Sequence, residues 1–146
     1  MKSNYHQNFL LICITFMLCQ QKSVSAKDSA PSGSEDKSEI TKAEFVKYLD
    51  TNKLVVAKFY ANWCPHCRDS TQQYEDAAKL IGKASNSKVK VIRIDCDQAK
   101  DVANKEKIDS LPTMVFYKNG KRIAKFDGDM KNAEEIAEWA AKTGDE

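Results

Sequence analysis

Two cysteines, Cys64 and Cys67, stand three positions apart where an apolar segment passes into a helical pattern. The apolar segment, Leu54 to Ala61, is dominated by aliphatic and aromatic side chains, as is typical of a buried strand. The helical pattern runs from about Cys64 to Ile81. The pair is therefore predicted to lie in the first turn of a helix that directly follows a strand of the core.

This position favours ionisation of the first cysteine. The unpaired N–H groups and the positive dipole end of a helix N-terminus lower a cysteine pKa from about 8.5 to between about 3.5 and 7.5. Cys64 is therefore the predicted nucleophile, and Cys67, one turn later on the same face, is the predicted resolving thiol and the more buried one. Protonated His66 would add positive charge beside Cys64. Trp63 would wall the site and leave Cys64 as the exposed sulfur.

Helices and strands alternate along the rest of the chain. Thr41 is a predicted N-cap, and Glu44 completes a capping box for a first helix that ends near Asp50. Asn119-Gly120 is the strongest short signal for a hairpin. The other predicted elements are a strand at Lys88 to Asp95, a helix at Gln98 to Lys107, hairpin strands at Thr113 to Lys118 and Lys121 to Phe126, and a helix at Asn132 to Lys142.

The order of these elements defines the fold class. A strand–helix–strand unit requires a right-handed parallel crossover, and the hairpin adds antiparallel strands at one edge. We predict an α/β fold with a central mixed sheet, parallel strands plus an antiparallel C-terminal hairpin, covered by helices on both faces. Gly82 and Gly144 are expected to end the second and the last helix. The last helix should turn Ile136, Trp139 and Ala140 inward.

The N-terminal region is typical of a secretory signal peptide. Lys2 and His6 give a weakly basic start, Phe9 to Leu18 is an apolar run, and Val24-Ser25-Ala26 offers small residues for cleavage. The run is too short to cross about 30 Å of hydrocarbon as a helix. The predicted organisation is a signal peptide at residues 1–26, a flexible linker at residues 27–38 and one domain at residues 39–146.

Charge argues against two classes of partner. Lys2 and Lys22 are the charged residues of the first 26 positions, so the 23 basic and 21 acidic residues of the chain become 21 of each after cleavage. A net charge of zero without a basic cluster gives no basis for binding nucleic acid or an anionic membrane surface. We expect a monomer that does not bind a membrane once the signal peptide is removed.

Cleavage also changes the number of cysteines. The chain has five cysteines, and Cys13 and Cys19 leave with the signal peptide, so an odd number remains, which argues against a disulfide-stapled scaffold. Zinc needs four ligands, and beside the pair the cleaved chain would offer only Cys96 and His66, which lies within the Cys64–Cys67 loop itself, so a zinc site is disfavoured. A structural disulfide that closes a four-residue loop would stabilise the fold weakly. The leading interpretation is a redox pair with no metal and no organic cofactor.

Three segments resemble the signatures of thioredoxin-fold proteins, in particular the domains of protein disulfide isomerases. They are Phe59 to Cys67 (FYANWCPHC), Ile108 to Thr113 (IDSLPT) and Val115 to Gly120 (VFYKNG). The resemblance extends from about Glu39 to Thr143. It implies that Cys64 and Cys67 form a redox-active disulfide.

The resemblance also implies a substrate-binding surface formed by Trp63, Leu111 and Pro112. Pro112 would follow a cis peptide bond and pack against the cysteine pair, and Leu111 would offer backbone groups to an extended substrate. Without the resemblance, Pro112 could simply open an edge strand.

The central dipeptide, Pro65-His66, resembles that of bacterial periplasmic disulfide oxidases, whereas disulfide isomerases usually carry Gly-His and thioredoxins Gly-Pro. The resemblance implies an oxidising protein. Physical chemistry agrees, because a setting that stabilises the Cys64 thiolate stabilises the reduced form and makes the disulfide a stronger oxidant.

Lys58 is the clearest departure from the family pattern, which usually has a buried Asp or Glu here. Three interpretations are open: the side chain reaches the solvent at an edge, its positive charge lowers both thiol pKa values, or its neutral amine is a base. Lys58 joins Cys64, Cys67, His66 and Pro65 as a candidate catalytic residue.

Cys96 stands between Asp95 and Asp97 at a strand end. Carboxylates on both sides raise a thiol pKa and lower its reactivity, so Cys96 is predicted to be structural. A mixed disulfide between Cys96 and a partner is the open alternative.

These observations predict a thiol–disulfide oxidoreductase that oxidises or isomerises disulfides of secretory-pathway or extracellular proteins. Its partners would be cysteine-containing proteins or peptides, with glutathione or an upstream redox protein exchanging electrons. The predicted location is the endoplasmic reticulum lumen, the cell exterior or, in a bacterium, the periplasm. The alternatives are a non-catalytic peptide-binding chaperone or secreted interaction module with the same fold, and a reductase with a dedicated electron donor.

Overall fold

The computed structural model describes residues 35–37, 41–84 and 88–146. The predicted signal peptide and most of the predicted linker lie outside these residues. The elements, in chain order, are β1 (Glu35–Lys37), α1 (Lys42–Thr51), β2 (Leu54–Tyr60), α2 (Pro65–Asp69), α3 (Thr71–Lys83), β3 (Val89–Asp95), α4 (Lys100–Lys105), β4 (Thr113–Lys118), β5 (Lys121–Lys125) and α5 (Ala133–Asp145). Among these helices, none is both long enough and apolar enough to cross a membrane.

The strands form one sheet in the order β1-β3-β2-β4-β5. β2 lies in the middle, parallel to β3 and antiparallel to β4, while β1 is parallel to β3 and β5 is antiparallel to β4. This arrangement confirms the predicted mixed α/β sheet. Because β2 has a neighbour on each side, the cysteine pair that follows it is held at the centre of one end of the sheet.

The first strand was not predicted from the sequence. Residues 27–38 are expected to be a flexible linker, yet Glu35–Lys37 pairs in parallel with β3. The fold therefore includes residues before Glu39, the expected start of the domain. A Glu-Asp-Lys segment has no apolar alternation, and an edge strand pairs through backbone N–H and C=O groups, which leave no side-chain pattern to detect.

The two faces of the sheet carry separate apolar clusters. Alternation along β2 turns Val55, Ala57 and Phe59 to the face covered by α1 and α4, and Val56 to the face covered by α3 and α5. Lys58 shares the alternation of Val56 and therefore points toward α3. On the first face the Phe45 ring packs edge-on against Phe59 and Tyr117 at 6.4 and 5.6 Å.

The capping box and the hairpin are confirmed. The N–H of Thr41 donates to Glu44 Oε2 at 2.8 Å, and the N–H of Glu44 donates to Thr41 Oγ1 at 3.3 Å. Asn119 and Gly120 have φ values of 50° and 77°, the left-handed conformation that a tight hairpin turn requires. In α5, Ile136 and Ala140 are fully buried and Trp139 packs against the second cluster, as predicted.

The helix predicted from Cys64 to Ile81 is in fact two helices. Ser70 adopts φ −97° and ψ 7° between α2 and α3, and its hydroxyl donates to the carbonyl of His66 at 2.9 Å. A serine side chain that bonds the backbone in this way competes with the helical hydrogen bonds and breaks the helix. The break matters for the site, because it turns backbone carbonyls toward the sheet.

The expectation that Gly82 and Gly144 end their helices is wrong. α3 continues to Lys83 and α5 to Asp145, and neither glycine adopts the left-handed conformation that terminates a helix. A glycine within a helix costs about 1 kcal/mol relative to alanine. Burial of the apolar faces of α3 and α5 against the sheet offsets that cost.

Candidate active site

Cys64 is the N-cap residue of α2, and Pro65 occupies the first turn. The N–H of Cys64 donates to the carbonyl of Ala61 at 3.2 Å, which closes the turn that follows β2. The carbonyl of Cys64 in turn accepts from the N–H of Arg68 at 3.2 Å. The predicted placement of Cys64 at the start of a helix is thus confirmed.

The two thiols are free and nearly buried. The exposed fraction is 5% for Cys64 and 2% for Cys67, and the two side chains hydrogen-bond to each other. Trp63, itself 66% exposed, lines the same groove as Cys64 and so walls the site as expected, but the expectation that Cys64 is an exposed sulfur is wrong. Leu111 and Tyr60 pack against the small cluster that the two cysteines form with Ala61.

Burial and the hydrogen bond with Cys64 raise the pKa of Cys67 to about 11, while the positive charge of Lys58 acts in the opposite direction. Cys67 therefore keeps its proton at neutral pH. Because the thiolate is the nucleophile in disulfide exchange, a proton must leave Cys67 before its sulfur attacks.

The peptide bond between Leu111 and Pro112 is cis, which confirms the implication of the resemblance. The carbonyl of Leu111 faces the nucleophile position and accepts from Cys64 Sγ at 3.7 Å. Contact between the Pro112 ring and the cysteine pair stays a prediction.

A groove with a cavity volume of about 460 Å³ runs along Cys64. Its walls are largely apolar, with a few polar side chains, as is typical of sites that bind organic groups. At one border, Asp109 lies 3.8 Å from Lys125 in an exposed ion pair. The groove is lined by Trp63, Cys64, Pro65, His66, Cys96, Ala103, Ile108, Asp109, Ser110 and Leu111.

Lys58 lies on the other side of the pair and is 1% exposed. Its Nζ donates to Ser70 Oγ at 3.0 Å, to the carbonyl of Ser70 at 3.2 Å and to the carbonyl of Cys67 at 3.4 Å. It also lies 5.2 Å from the centre of the Tyr74 ring. The interpretation that Lys58 reaches the solvent at an edge is therefore wrong, because the side chain ends beneath the break between α2 and α3.

Burial lowers the pKa of Lys58 to about 8, although negative charge on Cys67 acts to raise it. A second cavity, of about 200 Å³, adjoins both Lys58 and Cys67. The pair is thus flanked by two cavities, the groove at Cys64 and this smaller space at Cys67. Within the described part of the chain, no cluster of three or more Cys, His, Asp or Glu residues is suited to hold a metal ion.

The thioredoxin family model matches residues 36–142, and these residues hold the whole site just described. The chain belongs to the thioredoxin family. The match and the intact cysteine pair make it a thioredoxin-family thiol–disulfide oxidoreductase.

Relatives come from two branches of this family. The chain is 36% identical over 90 residues to thioredoxin-1 of Drosophila yakuba, which covers 60% of this chain and 80% of that protein. It is 32% identical over 103 residues to protein disulfide-isomerase 1 of Caenorhabditis elegans, which covers 70% of this chain. The chain spans 21% of the length of that isomerase.

Solved structures agree with the fold. Thioredoxin of Plasmodium falciparum superimposes with a TM-score of 0.62 and 30% sequence identity, over 74% of this chain and 97% of that one. Isomerases and thioredoxins are thus both relatives, and the finer activity of this thioredoxin domain has to be argued from its own residues.

Sequence reasoning missed the part of Ser70 in the site and the place of Cys96 beside the groove. Ser70, which breaks the helix and binds Lys58, gave no signal beyond being a serine within a helical pattern. Cys96 borders the same groove as Cys64, and here a signal existed. β2 and β3 are parallel with Tyr60 opposite Asp95, and the carboxyl ends of parallel neighbours meet at one edge of a sheet.

The surroundings of Cys96 favour the protonated thiol, which supports the prediction of low reactivity. Burial, the charge of Asp95 and the charge of Asp97 raise the pKa of Cys96 to about 12. Burial contributes more than the flanking carboxylates that the sequence points to. The backbone N–H of Cys96 donates to the carbonyl of Tyr60 at 2.8 Å and fixes the position of the thiol beside β2.

Proposed function

We propose that this thioredoxin domain oxidises or isomerises disulfides of proteins in the secretory pathway or outside the cell. The observation that carries the proposal is the placement of Cys64 Sγ at a groove, beside the Leu111 carbonyl, with Cys67 in contact behind it. A substrate sulfur reaches Cys64 from the groove, whereas Cys67 is reached from within the site.

In the oxidation step, a substrate thiolate attacks Cys64 Sγ and breaks the Cys64–Cys67 disulfide. The electron pair leaves on Cys67, which takes up a proton. A second substrate thiolate then attacks the substrate sulfur of the mixed disulfide, which forms the substrate disulfide and releases Cys64 as a thiolate. Glutathione disulfide or an upstream disulfide protein takes the two electrons and restores the pair.

In the isomerisation step, the reduced Cys64 attacks a disulfide of the substrate. Another substrate thiolate resolves the mixed disulfide and leaves the substrate with a new pairing. Cys67 attacks the mixed disulfide when no such rearrangement follows, and releases a stalled substrate.

The groove suggests roles for its other residues. The Leu111 carbonyl and Pro112 bind the backbone of an extended substrate, and the exposed ring of Trp63 binds an apolar side chain next to the substrate cysteine. Pro65 fixes the first turn of α2. His66 places positive charge beside Cys64 when it is protonated.

The oxidising direction is supported by Pro65-His66 and by Lys58. A basic residue in place of a buried carboxylate, and a histidine next to the nucleophile, both favour a thiolate, and thiolate stabilisation favours the reduced form. The predicted signal peptide at residues 1–26 supports a secretory location. N-terminal sequencing of the exported protein, with Lys27 as the expected first residue, tests that location.

A glutathione redox titration tests the proposed direction. We expect a Cys64–Cys67 potential between about −120 and −180 mV, as in oxidases and isomerases. A value near about −270 mV would instead indicate a reductase. The absence of a reversible disulfide would refute the enzyme and favour a peptide-binding module. The variant Cys67→Ser, which traps mixed disulfides on Cys64, identifies the substrates.

A further inference from the structure

The proposed function leaves the buried amine of Lys58 unexplained. This amine lies among two backbone carbonyls and the Ser70 hydroxyl. It reaches the break between α2 and α3, where Ser70 Oγ and the carbonyls of Ser70 and Cys67 surround its Nζ at 3.0, 3.2 and 3.4 Å. The two carbonyls are acceptors, and Ser70 Oγ accepts from Lys58 when its own proton is donated to the carbonyl of His66 at 2.9 Å or that of Cys67 at 3.2 Å.

Three acceptors match the three N–H bonds of an ammonium group. A neutral amine has two N–H bonds, and its lone pair would then face one of the three acceptors. The enclosure is therefore built to hold Lys58 in its protonated form. The side chain is 1% exposed, so these acceptors take the place of bulk solvent around Nζ.

The positive charge has no carboxylate in contact. In the described residues, Lys58 Nζ has three oxygen partners from Ser70 and Cys67, and none of them is a carboxylate. Glu75 of α3 acts from a distance and lies 3.5 Å from Arg93 of β3, whose own charge opposes protonation of Lys58. On the α3 side the amine also meets the face of the Tyr74 ring.

The remaining charges that Lys58 meets are those of the cysteine pair. Negative charge on Cys67 or Cys64 raises the pKa of Lys58, and burial lowers that pKa to about 8. A buried ammonium without a carboxylate is costly. When the reduced pair carries a thiolate, that thiolate is a nearby counter-ion for the Lys58 ammonium. When the pair is a disulfide, it carries no negative charge to balance the ammonium.

We propose that Lys58 is a positioning residue that holds a proton when the reduced pair carries a thiolate and releases it when the pair becomes a disulfide. Lys58 thereby couples proton transfer to electron transfer at the site. The inference rests on the proposed reversible Cys64–Cys67 disulfide, and it assigns the buried lysine the place that a carboxylate usually has in the family.

The coupled step is reduction of the Cys64–Cys67 disulfide by glutathione. Two glutathione thiols supply two electrons and two protons, the Cys64–Cys67 bond breaks, and the bond of glutathione disulfide forms. One proton stays on the Cys67 thiol, the other moves to the Lys58 amine, and Cys64 is left as the thiolate. The site is neutral before the step, with an amine and a disulfide, and neutral after it, with an ammonium, a thiol and a thiolate.

The smaller cavity gives the proton a route. It borders Lys58 and Cys67 together, along with Asn62, Arg68 and Thr71, and its volume of about 200 Å³ leaves room for water. A proton exchanged at the amine can therefore reach the thiols without crossing the substrate groove.

The test is a nuclear magnetic resonance titration of the Lys58 side chain in the disulfide and the reduced forms of the protein. The resonance is assigned through backbone connectivity, so no variant is needed. We expect the midpoint of the titration to lie at least about one pH unit higher in the reduced form. Equal midpoints would overturn the inference. Failure to form a disulfide, seen by mass spectrometry, would refute the proposed function as well.

Two variants provide an independent readout. Lys58→Met should raise the midpoint of thiolate absorbance and lower the equilibrium constant for reduction by glutathione about tenfold, equivalent to about 30 mV. Lys118→Met is the matched control, because Lys118 Nζ also donates to a helix carbonyl, that of Gly144, at 3.3 Å but beside the opposite end of β2. An unchanged thiolate titration in folded Lys58→Met would overturn the inference, and if that variant does not fold, the wild-type titration decides alone.

Discussion

Cys67 and Cys96 are two thiols at the same edge of the sheet with opposite electrical surroundings. Cys67 follows β2, and Cys96 follows the parallel neighbour β3. Burial raises the pKa of both, to about 11 and about 12. The lysine beneath Cys67 acts to lower its pKa, whereas the carboxylates on either side of Cys96 act to raise its pKa further.

Cys67 and Cys96 show how one fold gives a thiol of the proposed redox pair and a thiol of predicted low reactivity different surroundings. Desolvation protonates both sulfurs at neutral pH, so burial alone does not distinguish them. The difference lies in the sign of the neighbouring charge and in contact with Cys64, which is hydrogen-bonded to Cys67. The following experiments test whether those two features define the roles.

Removal of each thiol should give the largest contrast. Cys64→Ser and Cys67→Ser should abolish turnover in an assay of net dithiol oxidation, because each removes one half of the redox pair. Cys96→Ser should retain the wild-type rate, although Cys96 borders the same groove. A loss of turnover in Cys96→Ser comparable with that in Cys67→Ser would break the comparison and give Cys96 a part in exchange.

The alkylation rate of Cys96 should show the second largest effect. Because the thiolate reacts and the pKa of Cys96 is about 12, its rate should rise about tenfold per pH unit from pH 7 to pH 10 without a plateau. Site-resolved mass spectrometry of reduced protein treated with iodoacetamide measures the rate.

Protein unfolded in urea is the control for this alkylation experiment, since its cysteines should level off above their ordinary pKa. A folded-state plateau for Cys96 below pH 9 would contradict the assigned surroundings. In Lys58→Met the rate at Cys67 should fall while that at Cys96 is unchanged, which sharpens the contrast between the two sites.

The sequence predicted what local patterns encode. Apolar runs, the Thr41 capping box and the Asn119-Gly120 turn located most of the elements, and the motif around Cys64 located the nucleophile. β1 was missed because an edge strand needs backbone partners and no apolar side chains. The extents of α3 and α5 were misjudged because burial of a helix face outweighs the cost of one glycine.

The environment of Lys58 could not be predicted because it depends on three elements at once. β2 directs the side chain, α2 ends above it, and Ser70 turns the carbonyls that receive it. A lysine within an apolar strand shows that this position departs from the buried pattern. It does not show which atoms of the fold accept hydrogen bonds from the lysine amine. Nor could the place of Leu111 be predicted from local patterns, since its packing against the cysteine cluster depends on contact between distant segments.

The smallest predicted effect concerns stability and again separates the lysine from the thiols. The unfolded chain keeps Lys58 protonated up to its ordinary pKa of 10.5, whereas the folded reduced protein loses that proton near pH 8. Between these values the unfolded state binds more protons, so the contribution of Lys58 to stability rises with pH. A shift of this size corresponds to about 3 kcal/mol.

Urea denaturation of reduced wild-type protein and Lys58→Met at pH 7 and pH 10 measures this contribution. The wild-type protein should gain stability relative to Lys58→Met as the pH rises, because the variant has no buried ammonium to relieve. Ionisation of Cys96 in the unfolded state acts in the opposite direction but is common to both proteins, and it drops out of their difference. Lys118→Met controls for the loss of a lysine–carbonyl bond elsewhere. If the difference in stability between wild-type protein and Lys58→Met is the same at both pH values, the buried Lys58 ammonium does not destabilise the folded protein. Cys67 and Cys96 would then differ only in the contact that Cys67 makes with Cys64.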